Sequence, residues 1–296
     1  MLPGTESVDP RYLGLDSWPD AIVLDSLLES QLAAVAAVRA ALPGIAAAAE
    51  AAAAALGRGG RLIYVGAGTS GRIAAQDGAE LPPTFDWPRA RLHLVIAGGP
   101  AAFVAASEGA EDDEDAARAA IAALSPTAED VVIAVAASGG TPFTCAGLQA
   151  AGACGAVTIG IANTQGARLL ALSRFPVLAE TGAEPLAGST RLKAGTAQKV
   201  ALNLFSTLLM IKLGHVHDGL MVDMRPSNAK LRARAVRMLQ RLAGAAPEAA
   251  QSALDSGGGS IKLAVLLLRG LDAPAAQALL ARHGGRLRPA LKEIAP

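Results

Sequence analysis

Five short runs of aliphatic and β-branched residues recur along the first two thirds of this chain, each followed by small or polar residues and then a stretch of helical character. They are RLIYVGAG (61–68), RLHLVIAGG (91–99), DVVIAVAAS (130–138), AVTIGIAN (156–163) and FPVLAET (175–181). Runs that are continuously apolar rather than alternating belong to strands buried on both faces, and strands joined through helices run parallel. The order therefore predicts an α/β fold: a five-stranded parallel sheet sandwiched by helices, Rossmann-like in architecture. The helices are expected near 70–80, 100–109, 113–124, 141–152 and 166–172, with a long one over 194–213.

The ends of the chain read differently. Residues 1–20 are polar, carry prolines and show no period, which predicts an extended arm. Residues 21–57 are rich in alanine and leucine and predict two N-terminal helices broken at Pro43-Gly44, because a Pro-Gly pair punctuates local structure. After His217 the chain becomes charged and amphipathic. Helices are expected near 226–242, 246–254, 260–269 and 273–282, with glycines at 257–259 and 284–285 between them. The implied organisation is an arm with helices (1–57), a parallel-sheet domain (58–220) and a small helical C-terminal domain (221–296).

Charge removes some classes of function. The 26 basic and 26 acidic residues cancel, which leaves no excess to neutralise nucleic-acid phosphates or to hold a membrane surface. Cys145 and Cys154 have no metal-ligand spacing and read as small residues in a reducing compartment, so no metal is expected. MLPGTESVDP has no basic segment followed by an apolar run, and Ile45 to Leu56 is shorter than a bilayer span and interrupted by Glu50. The expectation is a cytoplasmic protein with no nucleic-acid or membrane partner.

Ligands of open parallel sheets sit beyond the C-terminal strand ends, where loops feed helix N-termini. The loop after the first run, Gly66-Ala67-Gly68-Thr69-Ser70-Gly71, matches GxGxxG. A dinucleotide site also needs an acid at the end of the second strand, and that strand ends Ile96-Ala97-Gly98-Gly99. The loop reads better as a phosphate cradle, with Gly68 giving close approach and Thr69 and Ser70 supplying hydroxyls at a helix start. Ser138-Gly139-Gly140-Thr141-Pro142, after the third run, repeats the design. Either loop alone is an ordinary turn and cap; two on one sheet suit one phosphorylated ligand. A third segment, Gly188 to Thr196, opens the long helix; its Ser189, Arg191 and Lys193 are either solvated or meet an anion. His93, His215, His217 and His283 form no ligand spacing.

Longer strings carry a resemblance. GAGTSGR and ASGGTP look like the two phosphosugar loops of the sugar isomerase (SIS) fold. RLIYVGAGTSGR, the element Glu80-Leu81-Pro82-Pro83-Thr84, EGAED (108–112), GSTRLKAGTAQK (188–199) and LMVDMRPSN (220–228) resemble, in order, the N-acetylmuramic acid 6-phosphate etherase family. The resemblance runs from about residue 5 to His283-Gly284-Gly285-Arg286. Two departures stand out: Gly140 replaces an arginine frequent in the family's second loop, and the arm keeps Thr5 and Glu6 but little else.

That resemblance implies a lyase with no cofactor, acting on a phosphorylated amino sugar. The family cleaves the D-lactyl ether at C3 by elimination followed by addition of water. With the ring open, the C2 hydrogen lies α to the C1 aldehyde; a base removes it, lactate leaves and water returns. One acid and one base are needed, in environments that separate their proton affinities. Glu80 and Glu111 match family glutamates implicated in this chemistry. By spacing alone each reads as a surface acid, Glu80 at a helix end and Glu111 in the run 111–115. The assignment adopted has Glu80 protonating departing lactate and Glu111 as base, the reverse using the same site. Gly68, Thr69, Ser70, Ser138, Gly139, Thr141, Ser189 and Lys193 are the expected substrate-binding residues, and a homodimer through the N-terminal helices is the expected assembly. An aldose–ketose isomerase and a non-catalytic phosphosugar sensor are the alternatives on the same fold.

Overall fold

The computed structural model describes residues 4–105 and 109–295. A long helix α1 (Asp20–Leu56) leads into β1 (Leu62–Gly66), α2 (Gly68–Phe85), β2 (Leu92–Ile96), α3 (Glu114–Leu124), β3 (Val131–Val135), α4 (Pro142–Ala153), β4 (Val157–Ala162), α5 (Arg168–Leu172), β5 (Phe175–Leu178) and α6 (Lys193–Leu213). A two-residue hairpin, β6 (Val216–His217) and β7 (Leu220–Met221), is followed by α7 (Ala229–Ala243), α8 (Pro247–Ser256), α9 (Ile261–Leu268), α10 (Ala273–Arg282) and α11 (Leu287–Glu293). The chain divides into two compact units: Met1–Ala79 with Ala90–Leu209, and Glu80–Arg89 with Met210–Pro296.

The expected sheet is present. Its five strands are parallel in the order β2-β1-β3-β4-β5. The three inner strands are buried at every residue, which is why they read as unbroken apolar runs, while β2 and β5 are partly exposed edges. Ile63, Val65, Val132 and Ala134 meet Ile121 of α3 and Leu148 of α4 in one core cluster. Full burial of each large aliphatic side chain stabilises the fold by roughly 1.5–3 kcal/mol. α4 lies unusually close to β1, because a Cβ on Gly147 would stand only 2.9 Å from a Val65 methyl.

The strand order reverses between β1 and β3. From β1 the sheet grows to β2 on one side, and from β3 to β4 and β5 on the other. The loops leaving these two central strands consequently sit side by side, with Gly66 opposite Val135. Buried Asp77 fixes the helix that follows β1. Its carboxylate accepts hydrogen bonds of 3.0 Å from Tyr64 of β1 and from Asn203 and Ser206 of α6. Burial raises the Asp77 pKa against the lowering effect of these bonds, and lifts that of Tyr64 well above its ordinary value.

Several expectations outside the sheet are corrected. Residues 21–57 form one helix, not two. Pro43 lies inside α1 at a cost of about 3 kcal/mol. Packing offsets it: Gly44 sits so close to β5 that a Cβ there would be 2.9 Å from the Pro176 carbonyl oxygen. α1 is long and apolar enough to cross a membrane, but its buried small residues, among them Ala34, Ala41, Ala48 and Ala52, belong to a helix that contacts β3, β4 and β5. The arm is not extended, since Gly4–Glu6, Pro10–Tyr12 and Leu15–Ser17 form 3-10 turns. Pro82-Pro83 does not end α2, which runs to Phe85 and stops at Asp86, whose φ is +53°. The helix expected at 100–109 is a single 3-10 turn, Gly99–Phe103, behind two left-handed glycines; Ser107 and Glu108 fall outside the described residues.

The second unit has its own core, in which Leu239, Leu254, Val265, Leu266 and Leu279 pack together. It holds one helix more than expected. The additional helix is α11, with Pro289 in its first turn, where a missing N–H costs little. His215 Nδ1 lies 2.8 Å from the Asp223 carboxylate, which also pairs with buried Lys262 at 2.5 Å. His217 is held below its ordinary pKa by burial. These histidines serve the hairpin rather than a ligand cluster.

One buried ion pair makes stability depend on acid. Asp130, at the foot of β3, is raised by burial but receives bonds from the Arg61 side chain (2.7 and 3.0 Å) and from the backbones of Thr127 and Arg61 (2.8 Å each), and lies at about 2. Because the folded value is depressed, its contribution is complete above the unfolded value near 3.8 and is lost as pH falls towards 2. Asp130→Asn should therefore lower stability by about 2 kcal/mol at pH 7, and the difference from wild type should shrink below pH 4 in urea unfolding. An equal deficit at both pH values would contradict this ionic role.

Candidate functional site

The site begins with a steric constraint. β1 ends at Gly66 and α2 begins two residues later. The turn is so tight that a Cβ on Gly66 would lie 2.8 Å from Gly71 Cα, and one on Gly71 would lie 2.9 Å from the Gly66 carbonyl carbon. Both glycines are required, and Gly68 supplies a φ of +52° between them. The N-terminal end of α2 thus lies directly beyond the strand end. Ser70 is nearly buried there.

The loop after β3 repeats this solution. Gly139 has φ +67° and lies against Ala167, leaving no room for a side chain. Thr141 occupies the N-cap of α4, but its hydroxyl makes no capping bond, and Pro142 fills the first turn. Ser138 Oγ accepts a 3.2 Å bond from the Gly140 N–H. Gly140 is not sterically required. A Cβ there would meet nothing closer than Ser138 Oγ at 3.8 Å, and its φ is not left-handed.

Between these loops lies a cleft of about 480 Å³. Its walls include Gly68, Thr69, Ser70, Ser138 and Thr141, together with Glu111. Thus six of the residues expected from the sequence are brought together. Glu6, Asp112, Gly188 and Thr190 line it as well, and were not singled out as ligand contacts. Glu6 comes from the arm, where no periodicity marks its position; its only signal was the retained Thr5-Glu6 pair. None of the residues lining the cleft is basic. An anion held here relies on hydroxyls, backbone N–H groups and the N-terminal ends of α2 and α4. Larger openings of about 860 and 610 Å³ occur in the second unit; the second is lined by Ser227, Ser260 at the start of α9, and Arg225 and Arg232, but holds none of the residues expected from the sequence to bind substrate.

The acidic run resolves into separate tasks. Glu111 and Asp112 form a 3-10 turn after left-handed Gly109 and face the cleft. Asp113 caps α3 by accepting the Ala116 N–H at 2.8 Å, while Glu114 and Asp115 pair with Arg118. Glu80 is on α2 at an exposed position, within the segment Glu80–Arg89 that belongs to the second unit. Ten residues, about 15 Å of α-helix, separate it from Ser70.

Three expected binding residues are placed otherwise. Gly139 shapes its loop from behind. Ser189 stands between the lining residues Gly188 and Thr190, its N–H bonded to Leu186. Lys193 is buried, and its ammonium donates to the Ala183 carbonyl at 2.6 Å. The first N–H groups of α6 are occupied by buried Glu184, which accepts from Lys193 N at 2.8 Å and Ala194 N at 2.9 Å. Burial pushes the Glu184 pKa up and the Lys193 pKa down. The N-terminus of α6 thus holds the protein's own carboxylate.

Known proteins match this sequence over most of its length. Residues 44–152 match the family described as the glucokinase regulatory protein N-terminal SIS domain. A Deinococcus radiodurans protein named N-acetylmuramic acid 6-phosphate etherase is 51% identical over 98% of this chain and 95% of its own length. Relatives with the same name from Streptomyces coelicolor and Halalkalibacterium halodurans are 45% and 42% identical, covering 97% and 98% of this chain and 93% and 98% of their own. The chain belongs to the N-acetylmuramic acid 6-phosphate etherase family. The etherase resemblance carried by the separate motifs therefore extends through both compact units.

Two substitutions test the cradle in opposite directions. Ser138→Ala removes a hydroxyl and should weaken binding of a sugar 6-phosphate by about 10- to 100-fold in titration calorimetry. Gly140→Arg enters open space and adds a cation to a cleft whose lining has none, so it should tighten binding severalfold. Unchanged affinity in both variants would place the phosphate elsewhere.

Proposed function

We propose that this etherase-family protein cleaves the D-lactyl ether of N-acetylmuramic acid 6-phosphate, giving N-acetylglucosamine 6-phosphate and D-lactate. The observation that carries the reading is Glu111 lining the same cleft as the two hydroxyl-bearing helix starts. Ser70, Ser138 and Thr141, with Gly68 and Thr69, hold the phosphate on C6, and the sugar chain extends from there towards Glu111.

In the open-chain substrate the C1 aldehyde acidifies the C2 hydrogen. Glu111 takes that proton and an enolate forms. The C3–oxygen bond then breaks, with a proton supplied to the lactate alkoxide as it leaves. Water adds at C3, C2 regains a proton, and the sum is substrate plus water giving sugar phosphate plus lactate. Each proton transfer by a positioned carboxyl group contributes about 10²- to 10⁴-fold. The chemistry asks for no cofactor.

Glu80 is proposed as the acid on the strength of its match to the family element Glu80-Leu81-Pro82-Pro83-Thr84. A homodimer is supported by α1, where Leu24, Leu28, Leu32 and Val35 form an exposed apolar stripe at helical spacing, with Leu28 59% and Leu32 62% exposed. A phosphorylated substrate does not cross membranes unaided. With free Cys145 and Cys154, this supports a cytoplasmic role in recycling or catabolism of cell-wall amino sugars, with no nucleic-acid or membrane partner. Light scattering should give a dimer, and charged substitution of Leu28 and Leu32 together should give a monomer; a monomeric wild type would overturn the assembly.

Free D-lactate released from N-acetylmuramic acid 6-phosphate separates this reading from an isomerase or a sensor, neither of which releases any. Glu80→Gln and Glu111→Gln should each fold and lose lactate release. In deuterated water Glu111→Gln should also stop exchange of the C2 hydrogen, whereas Glu80→Gln should retain some, because deprotonation precedes departure of lactate. The opposite exchange pattern would reverse the two roles, and full lactate release by both variants would remove these glutamates from the mechanism.

A further inference from the structure

Glu6 reaches the cleft from the N-terminal arm and has no part in the chemistry described above. Its position is built. Thr5 is wholly buried, and its carbonyl accepts a 3.0 Å bond from the Gly188 N–H. Gly188 has φ +75°, a backbone conformation that favours glycine, and the Glu6 carboxylate lies directly beside it, Oε2 standing 2.9 Å from where a Cβ would be. Further along the arm, Asp9 is locked by Arg11 at 2.7 Å. By contrast, none of the described residues donates a hydrogen bond to the Glu6 carboxylate, which lines the cleft together with Ser70, Ser138, Thr141 and Glu111.

A carboxylate is a poor neighbour for a phosphate. A cleft of about 480 Å³ is roughly 10 Å across, within one Debye length, and its lining has no basic residue to offset the repulsion. The same carboxylate is a strong acceptor for neutral donors, and an open-chain amino sugar offers several hydroxyls and an amide N–H. We propose that Glu6 is a specificity-determining residue: it accepts hydrogen bonds from the sugar chain and disfavours phosphate near itself. The cleft then selects a polyhydroxylated chain bearing phosphate over phosphate alone, and takes that chain in one orientation. This rests on the cleft being the phosphosugar site, as the proposed function requires.

The test compares two ligands on the full chain by titration calorimetry: inorganic phosphate and N-acetylglucosamine 6-phosphate. Glu6→Gln keeps the shape and removes the charge at an exposed position, so folding should be unaffected. The two affinities should move in opposite directions. Inorganic phosphate should bind about threefold or more tightly, and the sugar phosphate about tenfold more weakly. Loss of affinity for both would mean that the variant merely displaces the arm, and would overturn the proposal. So would no change in either, or a change in only one. Failure of the etherase reading shows separately, as absence of lactate release by the wild-type protein, since the calorimetry needs no turnover.

Discussion

The contact between Gly66 and Gly71 is the constraint on which the site depends. It allows a helix to start two residues after a strand, so the N-terminal end of α2 opens directly at the end of β1. Any side chain at either position would push the helix start away from the strand end. The reversal of strand order then brings the loop after β3 alongside, and Gly139 lets that loop turn back against Ala167. Asp77 holds the other side of the arrangement by tying α2 to β1 and α6 through three hydrogen bonds. The cleft is thus a consequence of backbone packing, and the hydroxyls of Ser70, Ser138 and Thr141 are set by where the helices begin.

The cleft proposed to hold the phosphate is lined by Glu6, Glu111 and Asp112 and by no lysine or arginine. Attraction has to come from neutral dipoles: two helix starts, each equivalent to a partial positive charge, and hydroxyls free to donate. Such a site gains little from long-range attraction and much from fit. No cation in the lining ties the carboxylates into ion pairs, which the proposed proton transfers require. Lys193 and Glu184 satisfy one another's surroundings inside the first unit and leave this balance undisturbed.

Much of this was legible in the sequence because it rests on local rules. The inner strands announced themselves through unbroken apolar runs, and the two loops that line the cleft through glycines followed by hydroxyls at a helix start. What misled were prolines. Pro43 and Pro82-Pro83 lie inside helices, since tertiary packing at Gly44 and at Leu81 and Phe85 outweighs the lost hydrogen bond. The placement of Lys193 was not legible: its side chain turns inward to a carbonyl, a choice that depends on the Ala183–Glu184 segment. Glu6 was hidden because an arm without period gives no hint of where it folds back. Its place is set by Gly188, some 180 residues later.

The central claim is that one phosphosugar is held between the loops that follow β1 and β3. The most direct test is a crystal structure of the protein with N-acetylglucosamine 6-phosphate. The phosphate oxygens should lie within hydrogen-bond distance of the Ser70, Ser138 and Thr141 hydroxyls, with the sugar carbons directed towards Glu111. A phosphate found instead in the second unit, or held by Lys193, would contradict the account.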